Sequence, residues 1–354
     1  MADNIVQARD AYYERLKPHS LAPLWTVLDA LVTETPASTA APFAWSFSEI
    51  RPMLMEAGDL ISAEEAVRRV LILENPAMPG KASITRTLYA GLQLILPGEI
   101  APCHRHSQSA LRFVLEGEGA YTAVDGEQAL MRPFDLVLTP NGRWHDHANE
   151  SSQPMIWLDG LDIPLVRALD ASFAESLSSG AQHPTLLSPG DCQARWGANL
   201  KPATGAAADS PKAPLFHYPY EKWRAALATI SSNSPLDQCN GTIMEFSNPL
   251  DGGPVMPTIS AFCQKLPAGF NGKPQRSTDG IIYVGVEGEG RVLIDGEEFF
   301  IGPRDVVVAP AWSERTLHAA SELTLFSFSD KATQQKLGLW REQQREVDDC
   351  PQSS

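Results

Sequence analysis

Residues 98–119 read GEIAPCHRHSQSALRFVLEGEG, and residues 140–149 read PNGRWHDHAN. Apolar or alternating runs here are cut by Gly, Pro, Asn and Asp, as in Ala110–Glu116 followed by Gly117-Glu118-Gly119. Short runs with turn signals every 8–12 residues or so predict antiparallel strands in a sandwich or barrel. Along a strand, residues i and i+2 share a face. His104 with His106, and His145 with His147, therefore each present two imidazoles on one side. Two such rings can chelate one metal, and a third from another strand makes a facial set of three nitrogens with open positions left for a substrate.

Working outward, the same punctuation occurs twice. Glu116-Gly117-Glu118-Gly119 recurs as Glu287-Gly288-Glu289-Gly290, and Asp125-Gly126-Glu127 recurs as Asp295-Gly296-Glu297. Asp135 and Pro140 map on Asp305 and Pro310 at the same spacing, so the chain holds two copies of one β domain. The second copy keeps the turns and loses the histidines: His104 becomes Gln275, His106 becomes Ser277 and His145 becomes Arg315. One metal per chain is expected, in the first copy.

The flanks divide the remainder. Residues 1–81 read as a helical arm, with helices over about Asn4–Val32 broken at Pro18 and Pro23 and another around Ala63–Val70. Residues 82–165 form the first β domain, 166–250 a linker with short helices, 251–330 the second β domain, and 331–354 a C-terminal helix and tail. Within the linker, 184–214 is rich in Pro, Ala, Gly and Ser, and a helical piece lies near Tyr220–Ile230. The second β pattern is read from about Thr258 to Phe328, and Lys331–Val347 as a polar helix.

Composition narrows the function. Lys and Arg number 28 against 43 Asp and Glu, a net charge of −15, which argues against nucleic acid or an anionic membrane as partner. Five scattered cysteines with no CxxC pair suit a reducing compartment and no thiolate zinc site. With no apolar stretch near the ~20 residues of a membrane helix and no secretory signal at the start, a soluble cytoplasmic protein is expected.

Gly98 with His104-Arg105-His106 and Gly117, then Pro140-x-Gly142-x-x-His145-x-x-x-Asn149, resemble the two cupin motifs, apart from the leading glycine of the second, where Pro133 or Phe134 stands. By that resemblance the chain is mainly β, a bicupin of two double-stranded β-helix (jelly-roll) barrels with a helical N-terminal arm and inter-domain helices, and its metal ligands are His104, His106 and His145. The usual cupin glutamate ligand is missing; its place falls near Ala110. Three neutral imidazoles leave a divalent ion its full charge for a chelating anion.

A narrower likeness runs from about Leu24 to Phe328. Residues 103–119, Ala22-Pro23-Leu24-Trp25, Asn141–His147, Trp157–Pro164 and Gly252–Thr258 resemble the gentisate 1,2-dioxygenase family, whose architecture salicylate 1,2-dioxygenase and 1-hydroxy-2-naphthoate dioxygenase share. The resemblance implies an extradiol-type oxidoreductase of aromatic catabolism with non-haem Fe(II) in the first cupin. It implies cleavage of gentisate with O2, between C1 and C2, to maleylpyruvate, and assembly as a homotetramer. Ring cleavage of salicylate or 1-hydroxy-2-naphthoate by the same mechanism, a different metal-dependent cupin enzyme such as an isomerase or decarboxylase, and a binding or storage bicupin are the alternatives.

Among the site residues, Arg112 follows the His-x-His pair with even parity between Leu111 and Phe113, and suits a bidentate grip on the substrate carboxylate, or else an outward salt bridge. Tyr89 and Gln93 alternate with Leu88, Leu92 and Leu94, and the resemblance places both near the ring, with Gln93 bonding a substrate oxygen. His147 and Asp159 are candidates for handling the proton of a ring hydroxyl, the carboxylate orienting the imidazole, or for structural roles. Arg68 and Arg69 can reach the site from the arm, with nothing local to fix their direction.

Overall fold

The structure is a computed structural model that describes residues 2–177, 187–198 and 215–345. Residues 1–37 form one compact unit and residues 38–354 another. The first unit holds helix α1 (Ala2–Leu16), a 3-10 turn at Lys17–His19 that contains Pro18, a second 3-10 turn at Leu24–Thr26 and helix α2 (Leu28–Leu31). Trp25 donates its indole N–H to the Tyr13 hydroxyl at 3.0 Å, tying the turn to α1.

The second unit begins with β1 (Phe43–Trp45), α3 (Phe47–Leu60), α4 (Ala63–Ala66) and β2 (Val70–Ile72). The first barrel follows as β3 (Tyr89–Ile95), β4 (Ile100–His106), β5 (Ala110–Glu116), β6 (Ala120–Val124), β7 (Glu127–Leu130), β8 (Leu136–Thr139), β9 (His145–Asn149) and β10 (Met155–Leu161), then α5 (Ile163–Ala168) and β11 (Ala174–Ser176). Helix α6 (Asp191–Trp196), β12 (His217–Tyr218), α7 (Tyr220–Asn233) and β13 (Thr242–Glu245) lead to the second barrel. That barrel runs β14 (Ser260–Leu266), β15 (Gln275–Ser277), β16 (Ile281–Glu287), β17 (Gly290–Ile294), β18 (Glu297–Ile301), β19 (Val306–Ala309), β20 (Arg315–Ala319) and β21 (Leu323–Ser329), closed by α8 (Lys331–Lys336) and β22 (Glu342–Gln344). Among the described residues no helix is long and apolar enough to cross a membrane.

The four sheets are two copies of one plan. The six-stranded sheets run β12-β8-β5-β10-β3-β2 and β1-β19-β16-β21-β14-β13, and the five-stranded sheets β11-β4-β9-β6-β7 and β22-β15-β20-β17-β18. The turns that announce the repeat share one backbone conformation. Asp125-Gly126 has φ of 48° and 88°, and Asp295-Gly296 has 49° and 88°. Two successive residues with positive φ make the tight hairpin that Asp-Gly favours. The six-stranded sheets meet through a common core, in which the Phe113 and Phe326 rings stack 4.0 Å apart and 4° from parallel.

The repeat is longer than its β pattern, and this corrects several boundaries. The arm over 1–81 is not only helical: β2 pairs with β3, and β1 pairs with β19 of the second barrel. Reciprocally, β12 pairs with β8 of the first barrel. Each exchanged strand leads into a helix whose first N–H an aspartate accepts: Phe47 N–H to Asp305 at 2.9 Å, and Tyr220 N–H to Asp135 at 2.8 Å. Residues 166–250 therefore supply β11, β12 and β13 to the barrels and are more than a linker; the second β pattern begins at Thr242. Of 184–214, residues 187–198 are described and include α6, with Cys192 and Trp196 buried; the others lie outside the described residues. The helix from Lys331 stops at Lys336, and Glu342–Gln344 pairs with β15; Val347 lies outside the described residues. These edge strands have two to four residues, too few to show a period in sequence. Near residue 63 the helix ends at Ala66, while α3 begins well before the expected position.

Candidate metal centre

The interior of the first barrel is lined from both of its sheets. His104 and His106 stand on β4, and His145 sits opposite His104 on β9. Their ring centroids are 4.1 Å (His104–His145), 4.8 Å (His106–His145) and 5.3 Å (His104–His106) apart. One ring nitrogen from each lies within 4.8 Å of the other two, the only such cluster of His, Cys, Asp or Glu among the described residues. Ala110, near the place of the missing glutamate, is fully buried at the start of β5.

The tautomers follow from the backbone. His104 Nδ1 lies 3.1 Å from the Pro102 carbonyl, His106 Nδ1 2.9 Å from the Gln108 carbonyl, and His145 Nδ1 3.0 Å from the Arg143 carbonyl. A carbonyl only accepts, so each Nδ1 carries the proton and each Nε2 keeps a lone pair. This is how proteins orient imidazoles for a metal. Burial and neighbouring guanidiniums also hold the rings neutral: His104 is pushed down to about 3 and His106 to about 4, both chiefly by burial, and His145 falls well below its ordinary value for the same reason. The donor set fits a divalent transition metal. His145 Nε2 is buried without a hydrogen-bond partner.

Around the rings stands a cationic shell. Arg112, on β5, is buried, with its Nε 3.5 Å from Asp159 Oδ1 on β10 and its Nη1 donating to the Thr139 hydroxyl. Asp159 also accepts the Trp157 indole N–H at 3.1 Å. Burial raises the Asp159 carboxyl to about 6, against the pull of Arg112 and Arg68. Arg68 and Arg69 part company just after Val67, whose φ is 55°. Arg68 Nη2 stands 2.6 and 2.8 Å from the two ring nitrogens of His104, whereas Arg69 turns away to grip Glu99 with two bonds of 2.9 and 3.0 Å. Among the described residues, nine buried side-chain polar atoms lack a hydrogen-bond partner, and four are here: Arg68 Nη1, Arg112 Nε, His145 Nε2 and His147 Nε2. Such a concentration of unmet polar groups marks a place made for a polar ligand.

The other expected residues fall as follows. His147 is buried behind His145, its ring centroid 5.8 Å from that of His145 and 5.7 Å from Trp157. Its Nδ1 partner is the Thr122 hydroxyl at 2.9 Å, so Asp159, bonded to Trp157, is not what orients it. Gln93 is buried on β3 opposite Trp157, beside a small cavity that Arg68 also lines. Tyr89 has its hydroxyl over Gly91, where an added Cβ would stand 2.7 Å from that oxygen and 2.6 Å from Val70 Cγ1. Burial, with the Asp159 charge nearby, raises the Tyr89 phenol. Thr122, Thr139 and Trp157 were not singled out by sequence, since Thr and Trp on strands carry no signal of their own.

Residues 91–161 match the Cupin domain family model. The chain is similar to gentisate 1,2 dioxygenase 1 of Aquipseudomonas alcaligenes, 49% identical, over 96% of this chain and 97% of that one. It is also similar to 5-aminosalicylate 1,2-dioxygenase of a Comamonas species, 36% identical over 94% of this chain and 90% of that one. The crystal structure of salicylate 1,2-dioxygenase from Pseudoaminobacter salicylatoxidans as a gentisate adduct superposes with a TM-score of 0.90 at 33% identity, over 96% of this chain and 94% of that one.

Proposed function

The chain belongs to the gentisate 1,2-dioxygenase family of bicupin ring-cleaving dioxygenases, and from that membership we propose that it opens gentisate with O2 between C1 and C2, giving maleylpyruvate, at an Fe(II) held by His104, His106 and His145. The single observation that carries this reading is the set of three imidazoles, each pinned through Nδ1 to a carbonyl so that Nε2 keeps its lone pair, beside two guanidiniums. Bound there, the iron supplies a point where O2 and the oxygens of a chelating aromatic acid come together with ready electron transfer between them.

The protein's own part is orientation and charge. Arg112, with a guanidinium whose affinity for its proton is lowered by burial and whose nearest carboxylate is 3.5 Å away, receives the substrate carboxylate. Arg68 adds a second positive charge over the histidines and offers its unpartnered Nη1 to the same anion. Asp159 balances both cations and sets the angle of Arg112. Tyr89 and Gln93, on β3, border the ring, with Gln93 hydrogen-bonding a substrate oxygen. His147 is neutral, since burial holds its proton affinity far down, and its bare Nε2 accepts a hydrogen bond from a substrate hydroxyl. Fixing two reactants in one dry site is a large share of what such catalysis requires. Family membership also supports homotetrameric assembly in the cytoplasm, with light scattering as the check on the assembly.

The test is reconstitution. Metal-free protein loaded anaerobically with Fe(II) and given gentisate in air should take up O2 and form a ring-opened product visible in the ultraviolet. Salicylate and 1-hydroxy-2-naphthoate, run in parallel, should turn over more slowly. Turnover with Zn(II) and none with Fe(II) would overturn the reading.

A further inference from the structure

The second barrel provides an internal control for the first. Positions polar in both copies serve the fold, as Asp135 and Asp305 do in accepting a helix N–H. Positions buried and polar in the first copy but aliphatic in the second have lost something the fold does not need. By strand register Thr122 stands opposite His147, and the matching pair in the second barrel is Val292 opposite Leu317. Met131, packed on Thr122, corresponds to Ile301. All six side chains are buried. A hydroxyl, an imidazole and a thioether thus replace three aliphatic groups at one spot beside the metal ligands.

Their hydrogen bonding runs in one direction. Thr122 Oγ1 lies 3.3 Å from Met131 Sδ and 2.9 Å from His147 Nδ1. A thioether can only accept, so the single hydroxyl proton goes to sulfur, and the threonine oxygen is left to accept from Nδ1–H. That order fixes His147 in the Nδ1–H tautomer with a lone pair on Nε2, which is buried and unpartnered. We infer that Thr122, backed by Met131, is a positioning residue: it locks His147 in the tautomer whose Nε2 can accept a hydrogen bond from the substrate hydroxyl. This deepens the reading above and rests on it for the identity of the substrate, though not for the tautomer.

Two measurements separate the claims. Histidine ring 15N shifts in the metal-free protein should show His147 protonated at Nδ1 in the wild type and in Thr122→Ser, and mixed or Nε2-protonated in Thr122→Val. Kinetics on the iron-loaded protein should show kcat about 10–100-fold lower in Thr122→Val, the usual cost of losing a partner that orients a histidine, with KM and iron content little changed and with Ser restoring the rate. Met131→Leu should loosen the tautomer in the same direction while retaining an aliphatic of the kind found in the second barrel. A wild-type His147 protonated at Nε2, or a folded Thr122→Val that keeps both tautomer and kcat, overturns the proposal. The expected tautomers in a protein inert toward gentisate would uphold the lock and sink the substrate assignment instead.

Discussion

Asp162, at the end of the first barrel, accepts a 2.5 Å hydrogen bond from Thr258 of the second half, and Asp330 returns the contact at 3.0 Å to Thr87 of the first. Each carboxylate also takes a backbone N–H from its own barrel, Ser109 for Asp162 and Gly280 for Asp330, both at 2.9 Å. The two clasps are related by the repeat, and both aspartates are buried. Burial raises both carboxyls, Asp162 to about 6. A carboxyl with a higher pKa folded than unfolded favours the fold below its unfolded pKa, and that contribution fades as pH rises through the folded one. Asp162→Asn, which keeps the shape, should therefore gain in Tm relative to the wild type as pH goes from 4 to 7. Thermal scans across that range test this, and a pH-independent difference between the two proteins would count against it. Thr258→Val should cost about 1–3 kcal/mol for leaving the carboxylate short of a partner.

Replacing His145 by Ala removes the ring that faces both His104 and His106. Iron retention after gel filtration should drop from one per chain to near zero, with the circular dichroism spectrum preserved. Retained iron with normal turnover would move the ligand set elsewhere.

Arg112 and Asp159 form a buried pair, so removing one partner has two consequences. Arg112→Met should raise KM for gentisate and also destabilise the fold by roughly 3–5 kcal/mol, because Asp159 is left buried without its closest cation. The double change Arg112→Met with Asp159→Asn should recover most of the stability and none of the affinity. Denaturation midpoints and steady-state kinetics on all three variants separate the two roles; recovery of KM in the double variant would place the carboxylate grip elsewhere.

Thr139 holds the Nη1 end of the same guanidinium, and the second barrel has Ala309 at this register position and Tyr283 at that of Arg112. Thr139→Val should raise KM several-fold at a cost of about 1 kcal/mol in stability, and Thr139→Ser should restore it. Equal KM values in the three proteins would show that Asp159 alone positions the arginine.

The parts of this molecule legible in its sequence are those in which chemistry restricts the choice of residue. Asp125-Gly126 and Asp295-Gly296 are conspicuous because two positive φ angles in a row admit few residues. His104 and His106 are conspicuous because two imidazoles two residues apart on a strand must share a face. What stayed hidden depends on partners distant in sequence. Arg68 and Arg69 look alike until the backbone turn at Val67 sends one to His104 and the other to Glu99. Asp159 reads in sequence as a group that orients His147, but the register of β10 against β5 sets it beside Arg112, and His147 looks to Thr122 instead. Strands as short as β1 and β12 have no alternation to read; they exist because a barrel from the other half offers them an edge.

That trade of edge strands has an evolutionary and a practical consequence. Two separate copies of the ancestral unit could have lent each other the same segments as a pair of identical molecules, and joining the genes end to end would have made the loan permanent. The present halves are then obligate companions: a chain severed between the repeats should yield insoluble pieces when each is produced alone and an active enzyme when both are produced in one cell.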